Sequence, residues 1–246
     1  MIIIVTTVYN AAKYVDKCIG SIMGQSLTDF KCYITDDIST DNSVSIIKDL
    51  IKDDERFILI ENKTKFYQPG NYDQVIRNNP EIDDNDIIVE IDGDDWLPNS
   101  SVLKRVEELY KDNDVWIANG SFRYSDGRVG FAAPPKSIEN IRNETFTASH
   151  LRTWRAFLWR AIDQDYLKDD EGVYWEVAGD LAFMYPMIEM AGYEHYRFMP
   201  EINYIYNEEN PMNDHKVNNG KVSRIVNILI NKPKYSKLIR EWFIVI

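Results

Sequence analysis

The chain has 246 residues, 44% of them hydrophobic and 28% charged, enough to bury one sizeable core. Lys and Arg total 28 against 40 Asp and Glu, and the net charge of −12 repels a phosphate backbone, which argues against nucleic acid as a partner. The apolar opening Met1 to Val5 is too short for a signal peptide and lacks a basic flank, and no run reaches a bilayer span, so a cytoplasmic protein with no membrane anchor is expected.

Ile2 to Val5 is a continuous β-branched run, as in a strand covered on both faces. Tyr14, Val15, Cys18, Ile19, Ile22 and Met23 follow at the spacing of one helical face. Phe30, Cys32 and Ile34 alternate with Lys31, Tyr33 and Thr35 as a second strand that stops at Asp36-Asp37. The cluster Ser39 to Ser43 offers N-caps to a helix whose buried side is Val44, Ile47, Leu50 and Ile51. Phe57 to Ile60 and Ile87 to Ile91 are the third and fourth strands. Strands separated by helices imply βαβ units and a parallel sheet, with ligands expected beyond the carboxyl ends of its strands.

Further on, Val102, Leu103, Val106 and Leu109 mark a helix, and Val115 to Ala118 a strand. Gly120 to Pro135 is expected to leave the parallel framework. Thr147 to Ile162 and Leu181 to Ala191 read as helices, the second stopped by Gly192. Lys216 to Ile230 is helix-like, Pro233 breaks it, and a short helix after it is open. The two cysteines, Cys18 and Cys32, fall on a helix stripe and in a strand and are expected as buried free thiols, so a disulfide framework and a zinc site are both out. Asn62, Asn99 and Asn143 open N-x-Ser/Thr triplets, read as chance matches without an export signal.

The fourth strand runs into Asp92-Gly93-Asp94-Asp95. Carboxylates crowded on one turn repel one another unless a cation or hydrogen bonds compensate them, and Mg²⁺ or Mn²⁺ would do so while keeping positions open for a diphosphate. An ordinary acidic surface turn, with Asp95 capping the next helix, is the competing reading. The spacing is not that of an EF-hand, and there is neither a Walker lysine loop nor a GxGxxG motif.

Four stretches in register, Ile4 to Asn10, Ser21 to Ser26, Ile34 to Asp41 and Asp92 to Asp95, resemble the family 2 glycosyltransferases of GT-A fold. The resemblance covers about the first 110 residues well, and the second half less tightly through Gly179-Asp180 and His215. It implies an α/β fold with a Rossmann-like, mostly parallel central sheet flanked by helices and a helical acceptor-side part. The whole chain is then one GT-A domain, with residues 1–119 as the nucleotide-sugar half, 120–215 as the acceptor and catalytic half and 216–246 as C-terminal helices.

By the same resemblance the activity is an inverting transfer from a nucleotide diphosphate sugar, a UDP-sugar being the expected donor, to a hydroxyl of a glycan or other acceptor, assisted by Mn²⁺ or Mg²⁺. Thr7 and Tyr9 would face the base, Asp37 its edge, Arg77 the base or phosphates, and Asp92 with Gly93 the ribose or metal. Asp94 and His215 would reach the metal, and Asp180 would be the general base. Ile38 departs from the family, which usually has Gly there, and Arg123 to Arg142 aligns poorly.

Bland readings stand beside these. Asp180 is equally an N-cap at a helix N-terminus, a place that favours negative charge in either role. His215 could be a solvated loop histidine. Trp154, Arg155, Trp159 and Arg160 suit a sugar-facing helix or, preferably, ordinary packing, and Trp175 is the better acceptor-site candidate. Two other functions remain open: a catalytically silent nucleotide- or glycan-binding module, and a two-carboxylate glycoside hydrolase with no metal or nucleotide requirement.

Overall fold

The structure, a computed structural model, describes residues 1–211, 213, 216 and 219–239. His215 lies outside the described residues. The first half alternates strand and helix, with every element but α3 expected from the sequence: β1 (Ile2–Val8), α1 (Val15–Met23), β2 (Phe30–Asp36), α2 (Ser43–Ile51), β3 (Phe57–Glu61), α3 (Tyr67–Ile76), β4 (Ile87–Asp92) and α4 (Val102–Leu109). The second half supplies β5 (Ile117–Tyr124), β6 (Arg152–Arg155), α5 (Ala156–Arg160), α6 (Gly179–His195), β7 (Tyr196–Tyr206) and α7 (Asn219–Asn231).

Among the described residues the strands form one seven-stranded sheet in the order β3-β2-β1-β4-β6-β5-β7. β1 lies parallel to β2 and β4, and β2 to β3, as βαβ crossovers require. β6 is antiparallel to both β4 and β5, while β5 and β7 run parallel. Side chains on β1 alternate between two cores. Ile2, Ile4 and Val8 pack with Cys18, Ile19 and Ile22 of α1 and Val102 of α4, and Ile3 and Val5 pack with Tyr72 of α3 and Phe183 of α6. A strand buried on both faces therefore reads as the unbroken apolar run seen in the sequence. Both cysteines are buried free thiols.

Several expected elements differ. Thr147 to Ile162 is not one helix: it approaches the sheet as a loop, forms β6, and then makes the five-residue α5. All four residues of β6 are buried because the strand sits inside the sheet, so the polar alternation of a half-exposed strand is missing. β5 starts later and runs further than Val115 to Ala118, reaching Tyr124 before a turn at Gly127 brings the chain back on itself through Tyr124 N–H to Arg128 O (2.8 Å) and Gly130 N–H to Phe122 O (2.8 Å). β7 and α3 carried no clear period in the sequence. α6 is interrupted at Gly192, whose φ of 63° takes it out of the helix where the sequence places the stop. No helix follows Pro233 among the described residues. Nor, among them, is any helix long and apolar enough to cross a membrane.

Candidate active site

The carboxyl ends of β1, β2 and β4 open into one cleft of about 1330 Å³, lined among others by Thr7, Tyr9, Asp37, Asp92, Asp94 and Asp180. The turn after β4 is drawn against β1. Gly93 N–H donates to Thr7 O (2.9 Å), and a Cβ on Gly93 would lie 2.8 Å from that oxygen and 2.7 Å from Val8 Cγ2, so no larger residue fits. On its other side the turn is tied to β7, with Ile205 N–H donating to Trp96 O at 2.9 Å.

At the end of β2, Asp37 is fully engaged. Its Oδ1 accepts from Asn62 Nδ2 (3.0 Å) and Phe66 N–H (2.8 Å), and its Oδ2 from Tyr67 N–H (2.9 Å), which pins the first turn of α3 to the cleft rim. Lys65 stands above the Tyr9 ring, 2.9 Å from its centroid, and burial lowers its proton affinity despite the pull of Asp37. Tyr9 is 45% exposed, an aromatic face offered to the cleft mouth. Ile38 takes up a φ of 60°, the left-handed region that accounts for glycine being usual in its place.

The acidic turn is electrostatically costly as it stands. Burial, followed by the charge of Asp94, pushes the Asp92 carboxyl up to about 7, and burial raises Asp94 and Asp95 as well. Asp94 Oδ2 accepts from Asn210 Nδ2 (2.7 Å), Asp92 Oδ1 from Gln68 Nε2 (3.2 Å) and Asp95 Oδ1 from Asn207 N–H (2.6 Å). Half-buried carboxylates that oppose each other's ionisation, on an oxygen-rich wall, fit a hard divalent cation. Glu90, Asp92 and His150 also bring ligand atoms within 4.8 Å of one another, although Arg152 already occupies one oxygen of Glu90.

Asp180 opens α6 behind the left-handed Ala178 (φ 54°). Its Oδ2 accepts from Arg152 Nη2 at 2.7 Å and its Oδ1 from Leu181 N–H at 3.0 Å, and its side chain is 27% exposed on the cleft wall. Its helix end is seated against α3, since a Cβ on Gly179 would come within 2.9 Å of Pro69.

The cleft thus brings together Thr7, Tyr9, Asp37, Asp92, Asp94 and Asp180, with Gly93 as the hinge of the turn. Two expected site residues lie elsewhere. Arg77 is turned away, its guanidinium taken by Asp73 Oδ1 (2.5 Å) and the carbonyls of Arg160 and Ile162, because the end of α3 points away from the strand ends. Trp175 is buried, with Nε1 donating to Tyr166 O at 3.0 Å, and its neighbour Glu176 faces the cleft instead. Trp154 and Trp159 are wholly buried, and Arg155 and Arg160 bind main-chain carbonyls, so this group serves packing. The sequence reading missed Gln68, Glu90, Lys65, His150, Arg152 and Asn210. Glu90 alone carried a signal, as a carboxylate inside the apolar run of β4.

A parallel sheet with an acidic turn at the mouth of its central strands is the arrangement of GT-A glycosyltransferases, and the comparisons agree. A sequence model of the family described as Glycosyl transferase family 2 matches residues 3–171. The chain belongs to that family. It is 29% identical over 128 residues to an uncharacterized glycosyltransferase of Haemophilus influenzae, covering 51% of this chain and 48% of that protein. It is 24% identical over 223 residues to the uncharacterized glycosyltransferase EpsJ of Bacillus subtilis, covering 86% and 62% respectively. The chain therefore spans less than two thirds of the length of these relatives. Among solved structures, S. aureus TarS 1-349 in complex with UDP-GlcNAc superposes with a TM-score of 0.67 at 16% identity, covering 93% of this chain and 66% of that one.

Proposed function

We propose that the protein is an inverting glycosyltransferase that moves a sugar from a nucleotide diphosphate sugar, a UDP-sugar, to a hydroxyl of a glycan or other acceptor. One observation carries the reading: Asp180 and the Asp92-Gly93-Asp94 turn, far apart in sequence and held by different elements, line the same cleft. Tyr9 offers the base a stacking face, with Asp37 and Thr7 beside it. Asp94, with Asp92 adjacent, would hold Mn²⁺ or Mg²⁺, which when bound neutralises negative charge developing on the departing diphosphate. Asp180 takes the proton of the acceptor hydroxyl on the face of the sugar opposite the diphosphate, which inverts the anomeric centre. The similarity in fold to a UDP-GlcNAc complex supports the choice of donor class.

Titration calorimetry with UDP, with and without Mn²⁺, tests the donor half of the reading. Metal-dependent binding is expected, and no binding in either condition would refute it. Asp180→Asn tests the chemical half: metal-dependent release of UDP from a UDP-sugar should fall by about 10²- to 10⁴-fold while UDP affinity holds.

A further inference from the structure

We propose that Arg152 is a positioning residue for Asp180, fixing the carboxylate against the acceptor side of the cleft and tying it to the nucleotide-side turn. The inference rests on the transferase reading above. Arg152 is on β6, between β4 and β5, with its side chain 3% exposed. Each of its three nitrogens has a partner: Nη1 donates to Glu90 Oε1 (2.8 Å), Nη2 to Asp180 Oδ2 (2.7 Å) and Nε to Ala148 O (3.2 Å). Glu90 Oε1 also accepts from Gln68 Nε2 (3.0 Å), and the same amide nitrogen reaches Asp92 Oδ1 at 3.2 Å. A continuous polar line therefore runs from Asp92 through Gln68, Glu90 and Arg152 to Asp180, drawn from four separate elements.

The geometry goes beyond what burial alone requires. Glu90 is completely buried and needs polar partners for its carboxyl, but one arm of Arg152 meets that need. The second arm is spent on a carboxylate that is partly open to the cleft. With Oδ1 held by the Leu181 N–H and Oδ2 by Arg152, the Asp180 side chain is fixed at both oxygens. A planar guanidinium can set the distance and angle between two carboxylates in this way, and an ammonium cannot. During transfer the acceptor oxygen bonds to the anomeric carbon, that carbon's bond to the diphosphate oxygen breaks with its electron pair leaving on the diphosphate, and the acceptor proton passes to Asp180. Arg152 stays protonated throughout and touches neither substrate.

The test compares wild type, Arg152→Lys, Asp180→Asn and the double variant. The substrate is the UDP-sugar that wild type hydrolyses fastest among UDP-glucose, UDP-galactose and UDP-N-acetylglucosamine in Mn²⁺, read as UDP release. Arg152→Lys should lower kcat by about 10²-fold, the cost of a misaligned reacting group, with KM for the donor and calorimetric UDP affinity unchanged. The double variant should be no slower than Asp180→Asn alone, because Arg152 acts only through Asp180. Glu90→Gln, which keeps shape and replaces one carboxyl oxygen of the line with an amide nitrogen, should lower kcat less and again leave KM alone. Equal losses in UDP affinity and kcat for Arg152→Lys would make Arg152 a donor ligand and overturn the proposal. So would losses that multiply in the double variant. Full activity of Asp180→Asn is a separate result: it overturns the assignment of the base, and the positioning role falls with it.

Discussion

Gly93 decides where the acidic turn can sit. With 2.7 Å to Val8 Cγ2 and 2.8 Å to Thr7 O awaiting any Cβ, Gly93→Ala must push the turn off β1 and carry Asp92 and Asp94 with it. The expected result is a loss of about tenfold or more in Mn²⁺-dependent UDP affinity by calorimetry. Unchanged affinity would mean that the turn does not seat the diphosphate. The neighbouring carboxylates make a second prediction. Glu90 is pushed by burial up to about 8 and Asp92, by burial and Asp94, up to about 7, so both hold protons in the folded chain that the unfolded chain has released. Their contribution to stability is complete below the ordinary carboxylate range and is lost as pH rises through the folded values. Without divalent cation, Tm should therefore fall as pH climbs from about 5 to about 8. Mn²⁺ competes with those protons, so it should raise Tm more at the upper end of that window than at the lower. Melting curves with equal Mn²⁺ shifts at both ends would argue against a cation on this turn.

Among the elements, β6 matters out of proportion to its four residues. It joins the parallel half of the sheet to β5 and β7, and it places Trp154 against Tyr72, Trp159 and Phe183, with ring centroids 6.2, 6.0 and 5.6 Å away. Trp154→Ala should cost about 3–5 kcal/mol in urea unfolding, because the fully buried ring leaves a cavity that a strand bonded on both edges cannot close. A loss below about 1 kcal/mol would mean that the helices repack over the gap. β6 is also the element that could not be read from sequence. β1, β2 and β4 were readable because each is an apolar run ending abruptly in Thr, Asp or Asp-Gly, and the end of the run is the place where the cleft begins. In Leu151 to Leu158 every residue is buried, so neither a two-residue nor a 3.6-residue period survives. α3 hid for a different reason: Pro69 and Gly70 stand near its start, and it buries Asn71 and Asp73. β7 carries Pro200 and Glu201 at a register shift against β5. The acidic turn and Asp180 were therefore visible, while Gln68 on α3 and Arg152 on β6, which connect them, belonged to elements the pattern obscured.

Across the molecule, the cleft wall built by the second half of the chain depends on residues distant from it. α7 contributes Val222 and Val226 to the cleft wall, and the segment beyond α7 is anchored by an ion pair between Arg142 and Glu189, whose side chains are 1% and 4% exposed. Arg142 Nε and Nη2 each donate to Glu189 at 2.6 Å, Nη1 donates to the carbonyls of Leu229 (3.1 Å) and Lys232 (2.7 Å), and Glu189 Oε2 accepts from Tyr235 N–H (2.9 Å). One guanidinium thus gathers the turn at Ile141–Asn143, the middle of α6 and the segment after α7. Removing one partner leaves the other charge buried without compensation, so Arg142→Met should destabilise by about 3–5 kcal/mol, and the double variant Arg142→Met/Glu189→Leu should recover part of that loss. The two outcomes separate the roles of charge and anchorage. If the carbonyls of α7 need the guanidinium itself, the double variant regains stability but α7 no longer holds its place. Transfer to an acceptor should then fall further than UDP release to water, since Val222 and Val226 line the wall while the Asp92 turn is untouched. Equal falls in both reactions, or none, would show that α7 keeps its position through its apolar contacts with α6 alone.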